Sequence, residues 1–221
     1  MFRCPQFVGK KGSKKWIQKL VNEKPNFFSA YVLKALNLPE SEHIKWLSPL
    51  KDDHYAEYSD QEWLKKLGVS LGKKSLADFW PARGPQWDAL GRSKSEKLFL
   101  VEAKSYIGEL CSSTRAGDKS RVQIIESLKE VKDFLNARKE ADWSRGFYQY
   151  ANRLAHLYLL RQNEVPAYLV FVYFLNDAEM HGPTTIDTWK GAIELLHAYL
   201  GIGRHKLQKH MVDVFVDVTH L

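Results

Sequence analysis

The spacing of apolar residues predicts six helices and five strands along the chain. Apolar positions three and four residues apart indicate helices at 14–22, 27–36, 58–67, 121–138, 147–162 and 186–200. Short apolar or alternating runs indicate strands at 76–80, 86–90, 98–103, 167–175 and 212–218. The order of these elements predicts an α/β fold in which helices cover a mixed central β-sheet, with extra helices at the N-terminus.

The length and composition favour one globular unit. A chain of 221 residues is the size of a single decorated domain, and neither an internal repeat nor a Pro/Gly/Ser-rich linker divides it. We interpret residues 1–56 as a basic arm and helical extension packed on the core, and residues 57–221 as the α/β domain. Charged residues make up 27% and hydrophobic residues 44%, which is typical of globular proteins and argues against disorder.

Cysteine usage and hydropathy indicate a cytoplasmic protein. The two cysteines, Cys4 and Cys111, are far apart and form no metal-binding motif, which argues against a secreted disulfide framework. The chain has no apolar run long enough for a signal peptide or a membrane span. We therefore expect a soluble protein of a reducing compartment that has no membrane partner.

Positive charge is concentrated at the N-terminus. The net charge is +7, and the first 20 residues hold six basic residues and no acid, which leaves about +1 for the rest of the chain. One interpretation is that Lys10, Lys11, Lys14 and Lys15 contact the phosphates of a nucleic acid. The other is a solvated, partly disordered N-terminus. Charge alone does not decide between them.

The pattern with the most chemical content is an acid followed by an acid-x-lysine triplet on the next strand. Glu102 and Lys104 lie two residues apart on a predicted strand, so both side chains point to one face, about 7 Å apart. If residues 92–97 form a hairpin turn that pairs residue 91 with residue 99, Asp88 faces Glu102, with Cβ atoms about 5 Å apart. Two carboxylates this close repel each other unless a cation lies between them, which favours Mg²⁺ or Mn²⁺. Lys104 is then placed to hold a phosphate or orient an attacking water.

The acid-x-lysine triplet by itself is weak evidence for a site, because the chain has a second one at 130–132 on a predicted helix. The sequence context distinguishes the two triplets. Only the triplet at 102–104 ends an apolar run and has another acid, Asp88, at hairpin distance. A plain alternative is an ion pair at a strand end, which stabilises the fold by about 0.2–1 kcal/mol. That alternative leaves Asp88 without a role.

Asp88 and the triplet Glu102-Ala103-Lys104 resemble the motif of the PD-(D/E)XK nuclease superfamily, the restriction-endonuclease-like phosphodiesterases. In that family an Asp opens the second core strand, often just after a Pro, and the acid-x-Lys triplet follows on the third strand. Here Pro85 precedes Asp88 by three residues, which departs from the usual spacing. The likeness covers residues 57–175, and it implies a restriction-endonuclease-like core. It also implies metal-dependent hydrolysis of nucleic acid by Asp88, Glu102 and Lys104, with Mg²⁺ or Mn²⁺ held by the two acids. The sequence itself does not distinguish DNA from RNA, and we expect DNA.

The same resemblance implies further site residues on neighbouring helices. Such enzymes often take another metal ligand from the helix before the first strand, where Glu57 and Glu62 are the candidates. Helical phase favours Glu57. On the predicted helix at 147–162, one polar stripe consists of Gln149, Asn152, Arg153 and His156, of which Gln149 and Arg153 are candidates to approach the metal or the phosphate. The simpler explanation of that stripe, which we prefer, is a face exposed to solvent.

Other readings of the chain stay open. A non-catalytic module that binds nucleic acid or protein on a nuclease fold is the main alternative, and the retained acids argue against it. The sequence has no zinc-binding cluster, phosphate-cradling loop or serine nucleophile motif. Trp80, Trp87 and Trp143 are aromatic residues able to stack on bases, although large aromatics usually belong to a core. The sequence does not distinguish a monomer from a homodimer.

Overall fold

The structure, a computed structural model, is an α/β fold in which helices cover both faces of a central sheet. It describes residues 3–221, and of Arg3 only the backbone. Its helices are α1 (Gly12–Glu23), α2 (Pro25–Ala35), α3 (Gln61–Leu67), α4 (Leu76–Phe79), α5 (Asp118–Leu135), α6 (Tyr148–Gln162) and α7 (Ile186–Leu200). Its strands are β1 (Arg3–Cys4), β2 (Ile44–Ser48), β3 (Glu57–Tyr58), β4 (Ala89–Ser93), β5 (Leu98–Lys104), β6 (Ala167–Leu175) and β7 (Met211–Asp217).

The central sheet is mixed and has five strands in the order β2-β4-β5-β6-β7. The first three strands are antiparallel neighbours, whereas β5, β6 and β7 run parallel. The parallel pairs need long connections, and helices provide them: α5 and α6 join β5 to β6, and α7 joins β6 to β7. Strands β1 and β3 form a separate two-stranded ribbon.

Two hydrophobic layers explain why β5 and β6 are apolar on both faces. One layer holds Leu98 and Leu100 of β5 together with residues of α3, α5, α6 and α7. The other holds Phe99 and Val101 with residues of α1 and α2. Because successive side chains of a strand point to opposite faces, a strand covered on both sides becomes a continuous apolar run.

Most predicted elements are confirmed, with ends shifted by a few residues, but the strand predicted at 76–80 is wrong. This segment is the short helix α4, and the hydroxyl of Ser75 accepts a hydrogen bond from the N–H of Asp78 at its first turn. Such a cap is a typical helix start. Four or five residues are too few for the apolar spacing to separate a helical turn from a strand.

The expected division at residue 56 also needs correction, because β2 comes from the range assigned to the N-terminal extension. Its residues pair with β4, so the extension supplies an edge strand of the sheet. In β2 the buried residues alternate with more exposed ones, and the strand is only five residues long. Helices α1 and α2 pack against the sheet as predicted.

The third correction concerns the helix predicted at 58–67, which begins only at Gln61. Asp60 has a positive φ of 51°, a backbone conformation that no helix contains. Glu57 therefore lies on β3, where it pairs with Cys4 of β1, and not on a helix. Likewise, the strand predicted at 86–90 begins at Ala89, and Asp88 directly precedes it.

No helix in residues 3–221 has the length and apolar character needed to cross a membrane.

Candidate functional site

The hairpin of β4 and β5 places Asp88 at the end of β5. Gly91 pairs with Phe99, which confirms the predicted register, and the ladder continues to Ala89 opposite Val101. The N–H of Asp88 donates to the carbonyl of Val101 at 3.1 Å. The Oδ2 atom of Asp88 accepts a hydrogen bond from the N–H of Ala103 at 2.7 Å. The side chain is thus fixed against the backbone between Glu102 and Lys104.

Glu102 is buried, and each of its two carboxylate oxygens has a cationic partner. Oε1 accepts from Nζ of Lys104 at 2.5 Å, and Oε2 accepts from Nε of Arg153 at 2.6 Å. Lys104 also donates to Oε1 of Gln149 at 2.7 Å. Burial alone would raise the pKa of Glu102, but the charges and hydrogen bonds of Arg153 and Lys104 outweigh it and hold that pKa below its ordinary value.

Arg153 connects three parts of the site. Besides its bond to Glu102, its Nη2 atom donates to the carbonyl of Gln86 at 2.7 Å. Its guanidinium carbon lies 4.9 Å from the ring centroid of Trp87, as in a cation–π contact. One α6 side chain therefore ties the segment before β4 to the strand that bears Glu102.

In contrast to Glu102, the acids Asp88 and Glu57 have raised pKa values. Burial, helped by the negative charges of Glu102 and Glu57, raises the pKa of Asp88 to about 8, although Lys104 and the N–H of Ala103 oppose this. Burial also raises the pKa of Glu57, with the charge of Lys14 acting against it and that of Glu102 adding to it. Carboxyl groups with raised pKa values in one cleft are typical of functional sites, although structural networks produce them too.

A cleft of about 870 Å³ adjoins this cluster, although Glu102 and Lys104 are buried and do not contribute to its lining. Asp88 and Glu57 contribute to its lining together with Gln149 and Arg153. The exposed residues Arg83 and Arg115 line it as well. The cleft thus combines carboxyl groups with cationic side chains, which is the combination that a phosphodiester and a metal ion require together.

The structure distinguishes between Glu57 and Glu62, the two candidates for a further acid of the site. Glu62 lies outside the cleft lining and pairs with Lys65 at 2.8 Å, so Glu57 is the acid that approaches Asp88. The reason given from the sequence, helical phase, was wrong, because Glu57 reaches the cleft from β3.

The four lysines predicted to bind nucleic acid have different surroundings. Lys10 and Lys11 are exposed. Lys14 donates to Oε1 of Gln6 at 2.6 Å, and its charge acts on Glu57. Lys15 pairs with Glu179 at 2.9 Å. Residues 12–23 form a helix, so the partly disordered N-terminus considered from the sequence does not extend to Lys14 and Lys15.

The preference for a solvent-exposed stripe on α6 was wrong. Arg153, Asn152 and His156 are all buried, and Gln149 is half-buried at the cleft. The helix lies between the sheet and the surrounding helices, so nearly all of its faces are covered. His156 packs edge-on against the rings of three tryptophans and a phenylalanine: Trp63, Trp80, Trp87 and Phe79. Trp80, Trp87 and Trp143 belong to the core, as the simpler interpretation held.

Sequence reasoning missed the roles of the carbonyl of Gln86 and of Arg83 and Arg115. The carbonyl of Gln86 is a backbone group, which every residue type has, so the sequence cannot indicate its role. The two arginines lie on segments without apolar periodicity, which gave no signal of a common cleft.

Few carboxylates in the described cleft are available to bind a hard divalent cation. Within residues 3–221, no group of three or more His, Cys, Asp or Glu side chains is arranged so as to hold a metal ion. Asp88 and Glu57 both line the cleft, while Glu102 is committed to Lys104 and Arg153. Mg²⁺ commonly binds through one or two carboxylates and completes its shell with water and phosphate oxygens. The donor chemistry is therefore suitable for Mg²⁺.

Comparisons of this chain with protein-family models, with curated proteins and with solved structures found no match.

Proposed function

We propose that the protein is a divalent-metal-dependent nuclease with a restriction-endonuclease-like core, and that it acts on DNA in preference to RNA. The observation that carries this proposal is the convergence of Asp88, Glu102 and Lys104 at one end of the β4–β5 hairpin, beneath an open cleft. The register that joins them follows from the residue pattern alone. In the family that the motif resembles, three strands are followed by a helix and a fourth strand. Here β4, β5, α5 and β6 have that order, but the first strand is β2, which lies before residue 57, because the strand predicted at 76–80 is a helix.

Asp88 and Glu57 are the residues that would hold Mg²⁺, or Mn²⁺ in its place, with Glu102 as the third acid beside them. When bound, such an ion polarises a phosphate and lowers the pKa of a coordinated water. Glu102 has a second task, because its charge fixes the ammonium group of Lys104 in the buried layer below the cleft. Gln149 holds the same ammonium group from the other side.

Lys104 supplies positive charge for the reacting phosphate, and Arg153 holds the groups around it in place. The ammonium group of Lys104 lies among hydrogen-bond acceptors in a site largely closed to water, so its effect on developing negative charge is little screened. Arg153 is a positioning residue that keeps Glu102 and the carbonyl of Gln86 in a fixed relation. The exposed Arg83 and Arg115 are suited to contact phosphates farther along the strand.

A binding module on the same fold is the competing proposal. Two ionised acids in a cleft that receives phosphates repel the ligand. A module that only binds nucleic acid gains nothing from them. Their presence therefore favours catalysis over binding.

Three substitutions test the proposal against one matched control. With Mn²⁺ or Mg²⁺, Asp88→Asn should abolish cleavage because it removes a metal ligand, and Lys104→Ala should lower the rate about 100-fold through lost transition-state stabilisation. Glu57→Gln should reduce activity and raise the metal concentration needed. Glu62→Gln is the control, since Glu62 is an acid of the same region outside the cleft.

The measurement is cleavage of labelled duplex DNA, single-stranded DNA and RNA, with EDTA as the metal-free comparison. Binding of the same substrates in EDTA should survive Asp88→Asn. Cleavage that persists in both Asp88→Asn and Lys104→Ala would point to a different site or a contaminant. No cleavage by the wild type on any substrate, with no Mn²⁺ bound at the cleft, would favour the binding module.

A further inference from the structure

The N-terminal segment has an apolar tip formed by Phe7 and Val8. Phe7 is 91% exposed and Val8 is 63% exposed, so neither side chain is used in the core. Single exposed apolar side chains are common on protein surfaces, so the exposure of Phe7 gains meaning only from the groups around it.

Hydrogen bonds hold the backbone around Phe7 in place. The buried side chain of Gln18, on α1, makes two hydrogen bonds to this segment. Its Nε2 atom donates to the carbonyl of Phe7 at 3.2 Å, and its Oε1 atom accepts from the N–H of Gly9 at 2.7 Å. The N–H of Gln6 donates to the carbonyl of His54 at 2.9 Å. These bonds hold the backbone on both sides of Phe7, whose side chain is exposed.

A short stretch of chain connects this tip to a residue that pairs with the cleft residue Glu57. Cys4 pairs with Glu57, which lines the cleft. Phe7 follows Cys4 by three residues, so it lies at most about 10 Å along the chain from that pair. Lys14 holds the side chain of Gln6 and acts electrostatically on Glu57.

The charges around the tip are positive. Lys10 and Lys11 are exposed and follow Phe7 closely. An aromatic ring with adjacent lysines is the combination that binds single-stranded nucleic acid, in which bases stack on the ring and phosphates meet the cations. A membrane surface also attracts aromatic and basic residues. However, Cys4, three residues before Phe7, pairs with Glu57 of the cleft, and this connection favours the nucleic acid.

We propose that Phe7 is a stacking platform for an unpaired base of the nucleic acid whose backbone enters the cleft. The proposal rests on the proposed nuclease function and deepens it, because it makes the substrate one with a single-stranded segment. An unpaired base offers its full face to the ring of Phe7, whereas the bases of an intact duplex are stacked on one another. Lys10 and Lys11 then meet the phosphates that flank this base.

The test is binding of labelled oligothymidine in EDTA, where no cleavage occurs, beside an abasic oligomer of the same length. Phe7→Ala should weaken binding of oligothymidine by about five- to ten-fold, the loss of one stacked base. It should leave the abasic oligomer unaffected. Phe7→Trp should restore the affinity, and Phe7→Leu should not, because leucine is apolar but has no aromatic face. Leu195→Ala is the control, since Leu195 is 66% exposed on α7, which contributes no residue to the cleft.

Each other result overturns the proposal. Equal binding of oligothymidine by Phe7→Ala and the wild type, or no binding by the wild type, would exclude a stacking role. An equal loss on the abasic oligomer would indicate a general effect on phosphate binding. If Phe7→Ala lowers binding only to vesicles of phosphatidylserine and phosphatidylcholine, the tip is a membrane contact. Because EDTA removes the metal, these outcomes are independent of the Asp88→Asn and Lys104→Ala results, which test the nuclease function.

Discussion

At the scale of single residues, α6 places two buried polar side chains in opposite electrostatic situations. Arg153 is charged and makes an ion pair with Glu102, so each group compensates the desolvation of the other. His156, one turn further along the same helix, is enclosed by aromatic rings. Its Nδ1 atom lies 2.9 Å from the carbonyl of Asn152. Burial, with the nearby charge of Arg153 adding to it, lowers the pKa of His156 to about 3.

This difference predicts a loss of stability in acid that depends on His156. The pKa of His156 is about 3 in the folded protein and about 6.5 in an unfolded chain, so only the unfolded chain takes up a proton between these values. The stability is therefore complete above about pH 6.5 and decreases as the pH falls toward 3. Between pH 7.5 and pH 5, His156→Phe should lose about 2 kcal/mol less than the wild type. Urea unfolding at both pH values measures this, and equal losses in the two proteins would contradict it.

At the scale of elements, the hairpin of β4 and β5 was predictable because two independent constraints agree. The apolar run of β5 indicates a buried strand, and pairing residue 91 with residue 99 brings Asp88 to Glu102. Strand side chains have a period of two, so a shift by one residue would move every side chain to the other face. That sensitivity makes a register prediction strong where one face bears charges.

The parts that could not be predicted depend on contacts between distant segments. Strand β2 is short and half-exposed, and only its pairing with β4 defines it. Glu57 reaches the cleft because β3 pairs with β1, a two-residue contact with no pattern in the sequence. Burial of Arg153 follows from packing around α6, whereas the polar stripe by itself looks like a solvated face. Tertiary packing decided these cases against local spacing.

The contact of β2 with β4 can be tested with a pair of glycines. A Cβ atom at Gly91 would lie 2.7 Å from Cγ2 of Ile44 and 3.0 Å from Cε3 of Trp46, both on β2. Gly91→Ala should therefore lower the free energy of unfolding by about 1–3 kcal/mol, because it overpacks this interface. Gly191→Ala is the matched control on α7, where no atom lies within 4 Å of the new methyl group.

The control should act in the opposite direction. Alanine has a higher helix propensity than glycine, so Gly191→Ala should stabilise the protein by about 0.5–1 kcal/mol. Denaturant unfolding of the two variants gives both values. A neutral Gly91→Ala would mean that β2 is not packed against β4 as described.

At the scale of the whole molecule, part of the excess positive charge lies close to the candidate site, because the charge of Lys14 acts on Glu57. The first 20 residues hold most of the excess positive charge, and β1 joins this segment to the strand that bears Glu57. The arginines of the cleft extend the basic surface toward Asp88. A polyanion attracted by the N-terminal segment is therefore brought to the acids that would hold the metal, without a separate binding domain.

The salt dependence of nucleic-acid binding tests whether the N-terminal segment contacts phosphates. Lys10→Ala combined with Lys11→Ala should reduce the slope of log affinity against log salt concentration by about 1.4–1.8, since each phosphate contact contributes about 0.7–0.9. Lys65→Ala combined with Lys73→Ala removes the same charge from lysines that are paired with Glu62 and Glu164, so it should change the slope little. Fluorescence anisotropy titrations in EDTA over a range of salt concentrations give the slopes. If both double variants lower the slope equally, the effect is one of net charge, and the N-terminal lysines make no direct contact with the phosphates.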